Sequence, residues 1–251
     1  MSLSSLVLAI VDMKLLLLRG YGKDKAANIV SERHSLSRRD RAILLKILHS
    51  PEEMSSYINK RASEDDINNV KLSIDGYNVL ITIEAMLNEK PVVICDDRVL
   101  RDLTLAYGSY RPNEKTSRAI ELLLSTIAKL RPSYTIIVYD APVSHSGELA
   151  ALTRRIMKEK GLTGVALTSR SPDKDSALLG DVVASSDVVV LKYAKRFIDI
   201  PSIIAREMRY NKVIDLSFLD EQLKHFTRSL YKVEEQLYKA NIELLSQLRN
   251  V

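Results

Sequence analysis

The sequence predicts an α/β fold: a mainly parallel sheet flanked by helices, with an all-helical segment before it and one long helix after it. Three observations carry that prediction. Between about residues 68 and 211, short β-branched runs alternate with helix-length amphipathic stretches, the pattern of strand–helix–strand units whose strands pair in parallel. Residues 1–66 show helix caps, stops and apolar periodicity, and no run that reads as a strand. From Val213 onward, apolar or small residues recur at three- and four-residue intervals. The expected organisation is therefore a helical segment (1–66), an α/β domain (67–212) and a C-terminal helix (213–251).

In the first section, the leucine-rich stretch 3–18 predicts a buried helix. Asp12 and Lys14 interrupt it, it is shorter than the roughly 20 apolar residues of a membrane span, and it lacks the basic start and small-residue cleavage site of a signal peptide. Arg19-Gly20-Tyr21-Gly22 ends it with glycine stops. Residues 23–33 form a second helix. Ser37 with Asp40 three residues later is a capping-box signature for a third helix reaching about His49, and Ser50-Pro51 separates that helix from a short polar one.

In the middle section, residues 71–81 read as an apolar strand interrupted by Asp75, Gly76 and Asn78. Residues 91–95 are a short buried strand, 113–130 a helix, 134–139 a strand, 146–160 a helix and 164–168 a strand. A further strand is expected around Val188-Val189-Val190. In the last section, Ser217 and Asp220 have capping-box spacing. Leu219, Leu223, Phe226, Leu230, Val233, Leu237, Ala240 and Leu244 then follow the three–four rhythm of a coiled-coil seam. The expectation is that the first half of this helix packs within the chain and residues 237–248 contribute to a homodimer.

With 251 residues there is room for one full-sized α/β domain and an appendage. Hydrophobic residues at 46% and charged residues at 27% describe a globular chain rather than a disordered one. A net charge of +5 leans towards a polyanionic partner. The single cysteine, Cys95, excludes an intrachain disulfide and agrees with a cytoplasmic setting; lying in an apolar run, it reads as a core residue. There is no GxxxxGK[ST] loop or GxGxxG turn, which argues against P-loop and dinucleotide enzymes. No Cys/His cluster could hold zinc. His145 stands between Ser144 and Ser146, but without a G-x-S-x-G elbow to make a nucleophile of either serine.

The chemistry is expected at the carboxyl ends of the strands, where open parallel sheets collect ligands. Asp75 lies in the first strand, Asp140 directly follows the run ending at Tyr139, Asp173 and Asp175 follow the strand ending at Thr168, and Asp187 stands beside the valine run. Each has a plainer reading: Asp75 and Asp140 as turn residues, Asp173 and Asp175 as solvated loop charges, Asp187 as a cap. Together they would repel unless neutralised, and hard cations such as Mg²⁺ or Mn²⁺ suit an all-oxygen site. Asp97 is a second-tier candidate, with a surface loop residue as its plain alternative. Basic residues accompany these acids in sequence: Arg98 and Arg101 after the second strand, Arg154 on the helix after Asp140, and Lys192, Lys195 and Arg196 after Asp187. They are candidate phosphate contacts, against the alternative of a solvated surface.

The run Ile74-Asp75-Gly76-Tyr77-Asn78-Val79-Leu80-Ile81-Thr82 resembles the opening strand of PIN-like and related NYN nuclease domains. More narrowly, Arg19-Gly20-Tyr21, the stretch from Leu36 through Arg41, the stretch from Asp97 through Asp102, Asp140-Ala141-Pro142-Val143-Ser144, Ser171-Pro172-Asp173 and Val183-Ala184-Ser185-Ser186-Asp187 make the chain similar to an archaeal family with a PIN-like core behind a helical segment, of the domain-of-unknown-function 434/5616 type. The resemblance implies metal-binding roles for Asp75, Asp140, Asp173, Asp175 and Asp187, with Asn78, Ser144 and Ser186 in support. It also implies a metal-dependent nuclease acting on RNA. Two alternatives stand beside it: a PIN-like module that holds RNA or protein without cutting, and a small-molecule phosphohydrolase on a related sheet.

Overall fold

The computed structural model describes residues 3–105 and 110–247, with side chains for 5–105 and 110–236. The chain is α/β, with a mostly parallel five-stranded sheet flanked by helices, helices at the N-terminus and a long helix at the C-terminus. It divides into two compact units: residues 53–216, and residues 1–52 together with 217–251.

The unit formed by residues 53–216 contains the sheet. Its strands are β1 (Lys71–Asp75), β4 (Tyr134–Asp140), β5 (Gly164–Ser169), β6 (Val182–Ala184) and β7 (Phe197–Ile198), in the order β5-β4-β1-β6-β7 and all parallel. Alternate residues face opposite sides. Leu72, Ile74, Ile137, Tyr139, Val182 and Ala184 join the larger core, which includes residues of α5 (Gly76–Leu87), α6 (Thr116–Leu130), α7 (Ser146–Glu159) and α10 (Ile200–Glu207). Val183 belongs instead to a smaller cluster with Ala177 of α8 (Pro172–Leu178), Val190 and Leu191 of α9 (Val188–Tyr193), Phe197, and Tyr57 of α4 (Pro51–Lys60). Strands covered on both faces are what a parallel sheet requires. A second, three-stranded sheet has the order β3-β2-β8: β2 (Val92–Ile94) pairs antiparallel with β3 (Leu100–Asp102) and parallel with β8 (Val213–Asp215).

Several local expectations are corrected. The first strand ends at Asp75, and Asn78 lies in the first turn of α5. The turn into α5 is tight. A Cβ on Gly76 would come within 2.5 Å of the Tyr139 ring and 2.8 Å of the Val138 carbonyl oxygen, so only glycine leaves space for β4 alongside. Gly76→Ala is expected to destabilise the fold by about 1–3 kcal/mol through overpacking, measured as a shift in the urea midpoint; an unchanged midpoint would mean the turn relaxes freely. The valine run 188–190 is not a strand but the start of α9. The strand is Val182–Ala184, where Val183 and Ala184 pair with Phe197 and Ile198. Asp173 and Asp175 stand on α8 rather than in a loop.

The other unit packs α1 (Leu3–Leu18), α2 (Lys23–Arg33), α3 (Arg38–Ile47) and α11 (Leu219–Gln247). The Ser37–Asp40 capping box is present, with both reciprocal hydrogen bonds. Lys14, which interrupts the leucines of α1, is fully buried. It donates to the His49 carbonyl at 3.0 Å and pairs with Asp220 of α11 at 3.2 Å. One turn further on, Arg19 pairs with Glu234 and lies over the Tyr231 ring. These polar contacts mark the face of α11 turned to α1, together with buried Leu219 and Thr227. Phe226, Leu230 and Val233 of the expected seam are 36–53% exposed, so beyond Leu219 these seam positions are not what α1 covers. Residues 237–248, assigned above to a dimer, lie outside the described side chains. Among the described residues no helix is long and apolar enough to cross a membrane.

Candidate metal centre at the strand ends

The chain enters the five-stranded sheet at β1, builds outward through β4 to β5, then returns to place β6 and β7 on the other side of β1. The reversal lies between β1 and β6, and ligands bind at the carboxyl ends of strands at such a point. Asp75 closes β1 and Asp140 closes β4. Asp173 follows β5 at the start of α8, and Asp187 follows β6 and caps α9.

Register brings two of them side by side. Ile74 is paired with Ala184, so the next residues, Asp75 and Ser185, are neighbours, and Ser185 Oγ donates to Asp75 Oδ2 at 2.9 Å. The same hydroxyl oxygen accepts from the Asp187 N–H at 3.0 Å. Asn78 Oδ1 accepts from the Ser186 N–H at 2.8 Å and from Ser186 Oγ at 2.9 Å. The helix turn after β1 and the Ser185-Ser186-Asp187 turn after β6 are thereby joined. Asp187 Oδ1 accepts from the Val189 and Val190 amides.

Asp75 is buried, and its carboxyl is pushed up to about 7. Burial is the main cause and the charge of Asp187 the next; hydrogen bonds from Ser185 and the Asn78 amide oppose them, and Asp173 adds to the rise. Asp173 is raised by burial and then by the charges of Asp187 and Asp140. Asp140 is raised by burial. Acids from four strand ends thus occupy one electrostatic neighbourhood. No three of the four bring carboxylate oxygens all within 4.8 Å of one another, the separation like charges adopt. All-oxygen donors on separate elements fit a hard divalent ion that keeps several of its own waters.

The other predicted residues divide. Asp175 is turned to the end of β5, where its Oδ2 accepts from Ser169 Oγ at 2.5 Å. Ser186 sits at the joint described above, and Ser144 is exposed in the loop after β4. Arg98, Lys192 and Lys195 are exposed. Arg154 is exposed but donates to the Ala166 carbonyl of edge strand β5, and Arg196 pairs with Asp66 at 2.8 Å. Arg101 is a correction: it is 1% exposed, so it cannot reach a phosphate in solution. Its guanidinium forms two hydrogen bonds to Asp97, at 2.7 and 2.6 Å, and Nε donates to the Ser186 carbonyl at 2.9 Å. Asp97 is likewise buried rather than a loop acid in solvent. Cys95 is fully buried, and burial pushes its thiol up to about 12, so it is a core residue.

Two polar groups central to this arrangement were not singled out from the sequence. Ser185 links Asp75 to Asp187, and its only signal was its place in the Ser-Ser-Asp triplet. Asp199, at the end of β7, caps α10 by accepting from the Ser202 amide and holds the Leu100 amide of β3; it stands, like the others, directly after a strand.

Two family models match the chain. The family described as "Domain of unknown function (DUF5616)" matches residues 64–203, and the one described as "Protein of unknown function (DUF434)" matches residues 5–60. The uncharacterized protein MJ0935 of Methanocaldococcus jannaschii is 38% identical over 181 residues, spanning 72% of this chain and 86% of its own length. No solved structure matches.

Proposed function

We propose that the chain, which belongs to the family of the domain of unknown function DUF5616, is a metal-dependent phosphodiesterase of PIN-like type acting on RNA. The observation that carries this reading is the convergence of Asp75, Asp140, Asp173 and Asp187 from four strand ends into one field of negative charge, with Asp75 buried in it. A bound Mg²⁺ or Mn²⁺ would supply an activated water and stabilise charge developing on the phosphodiester. The four carboxylates are the groups that would hold it. Ser185 and Asn78 keep Asp75 and the Asp187 turn in fixed relation. Lys192 and Lys195, which follow Asp187 in the chain and are exposed, would be the groups to take flanking phosphates.

Purified protein with Mn²⁺ is expected to cut single-stranded RNA and to stop when EDTA is added. Metal and RNA binding without any cutting would favour a non-catalytic module, the second reading. That no three of the four bring carboxylate oxygens all within 4.8 Å of one another favours that second reading. Hydrolysis of small phosphate esters but not of RNA would assign the site to a phosphohydrolase.

A further inference from the structure

We infer that Arg101 is a positioning residue for the metal centre, acting through the main chain between Ser186 and Asp187. The inference rests on the metal-centre reading above. Arg101 belongs to β3 in the three-stranded sheet, not to the five-stranded sheet whose ends carry the acids. Its side chain is 1% exposed and spends its donors on two targets. Nη1 and Nη2 bind the two oxygens of Asp97 side by side, and Nε reaches the Ser186 carbonyl oxygen at 2.9 Å. A buried ion pair adds little stability over apolar residues of the same volume, so its stabilising effect does not account for this one. Its geometry does. The rigid planar fork offers one edge to a carboxylate and a separate N–H to a third acceptor, which a lysine ammonium cannot do from one fixed plane.

The acceptor is what matters. The Ser186 carbonyl and the Asp187 N–H are two ends of a single peptide plane. Arg101 holds the carbonyl end, and Ser185 Oγ holds the N–H end while donating to Asp75. The preceding peptide is held as well, its Ser186 N–H bound to Asn78 Oδ1. A plane gripped at both ends cannot rotate about its long axis, so the Cα–Cβ direction of Asp187 is set relative to Asp75. Asp97 in turn seats the guanidinium, and its own orientation is fixed by accepting from the Val99 amide at 3.0 Å. The small sheet thus reaches the site through one buried side chain.

The test is Arg101→Lys in the full chain. It retains a positive charge against Asp97 and removes the Nε donor. In metal-free protein the Asp187 amide is expected to exchange its hydrogen at least about tenfold faster. Calorimetric Mn²⁺ affinity is expected to fall about 10–100-fold, the range seen when groups supporting metal ligands are lost. Ile203→Val, a core truncation on α10, controls for general destabilisation and is expected to move neither readout. If Arg101→Lys does not fold, Asp97→Asn carries the same test by unseating the guanidinium. Unchanged Asp187 exchange and unchanged Mn²⁺ affinity would overturn the inference even where the wild type binds and cuts. A wild type that binds no Mn²⁺ would instead end the metal-centre reading, and the positioning role for that centre with it.

Discussion

Asp75→Asn is expected to lower metal-dependent RNA cleavage about a thousandfold, equivalent to the several kcal/mol that a bound metal contributes to the transition state. The same change is expected to stabilise the metal-free protein above pH 7. Burial and the charge of Asp187 raise the carboxyl from an ordinary 3.8 to about 7. Between these values the folded protein holds a proton that the unfolded chain has released. Stability conferred by this group is therefore greatest below about pH 4, declines as pH rises towards 7, and is flat above it. The difference corresponds to about 4 kcal/mol of strain from an ionised, buried Asp75. Asparagine has nearly the same shape and stays neutral, so the variant should lose that pH slope and melt higher than wild type at pH 8 in EDTA. A group that destabilises the fold it sits in is characteristic of a site shaped for a ligand. If the two proteins have parallel stability profiles from pH 4 to 8, Asp75 does not carry the buried charge described here.

The second large effect is on stability. Arg101→Ala is expected to cost about 3–5 kcal/mol, because Asp97 would stay buried without the guanidinium it pairs with. Asp97→Ala should cost a similar amount for the converse reason. Replacing both by apolar residues of similar volume (Arg101→Met with Asp97→Leu) should restore most of the loss. It would still leave the Ser186 carbonyl without its donor. Urea unfolding of wild type, Arg101→Ala, Asp97→Ala and the Arg101→Ala/Asp97→Ala double variant forms a double-mutant cycle, and additive losses in it would contradict the pairing.

Much of this arrangement was legible in the sequence because it depends on local pattern. Strand 134–139 and the helix after Asp140 are strongly periodic, and the Ser37–Asp40 box is a short-range signal that the structure reproduces. Asp140 could be read at a strand end for the same reason, since it directly follows an apolar run. Errors arose where composition and context disagree. The β-branched run after Asp187 reads as a strand, yet it lies on the far side of a cap. Asp187 binds the Val189 and Val190 amides and starts a helix, while the strand is the less conspicuous Val182–Ala184. Residues 71–81 read as one apolar element because both β1 and α5 are buried; apolar continuity does not reveal where a strand turns into a helix.

The roles of Arg101 and Asp97 were hidden for another reason. Three residues of hairpin separate two charged side chains that read as solvent-facing, and only tertiary pairing of β3 with β2 buries both. The C-terminal seam likewise follows a heptad rhythm, but Lys14 of α1 and Arg19 in the turn after it pair with Asp220 and Glu234 of α11, off that seam.

The central claim is that four strand-end aspartates form one cation site. Anomalous scattering from a crystal of the full chain soaked in Mn²⁺ tests it most directly. The account predicts a peak at the carboxyl end of the five-stranded sheet, within coordinating distance of Asp75 and Asp187 and bordered by Asp140 and Asp173, and its loss in Asp75→Asn. A saturated crystal with no peak there, or with Mn²⁺ bound only at another surface, would contradict it.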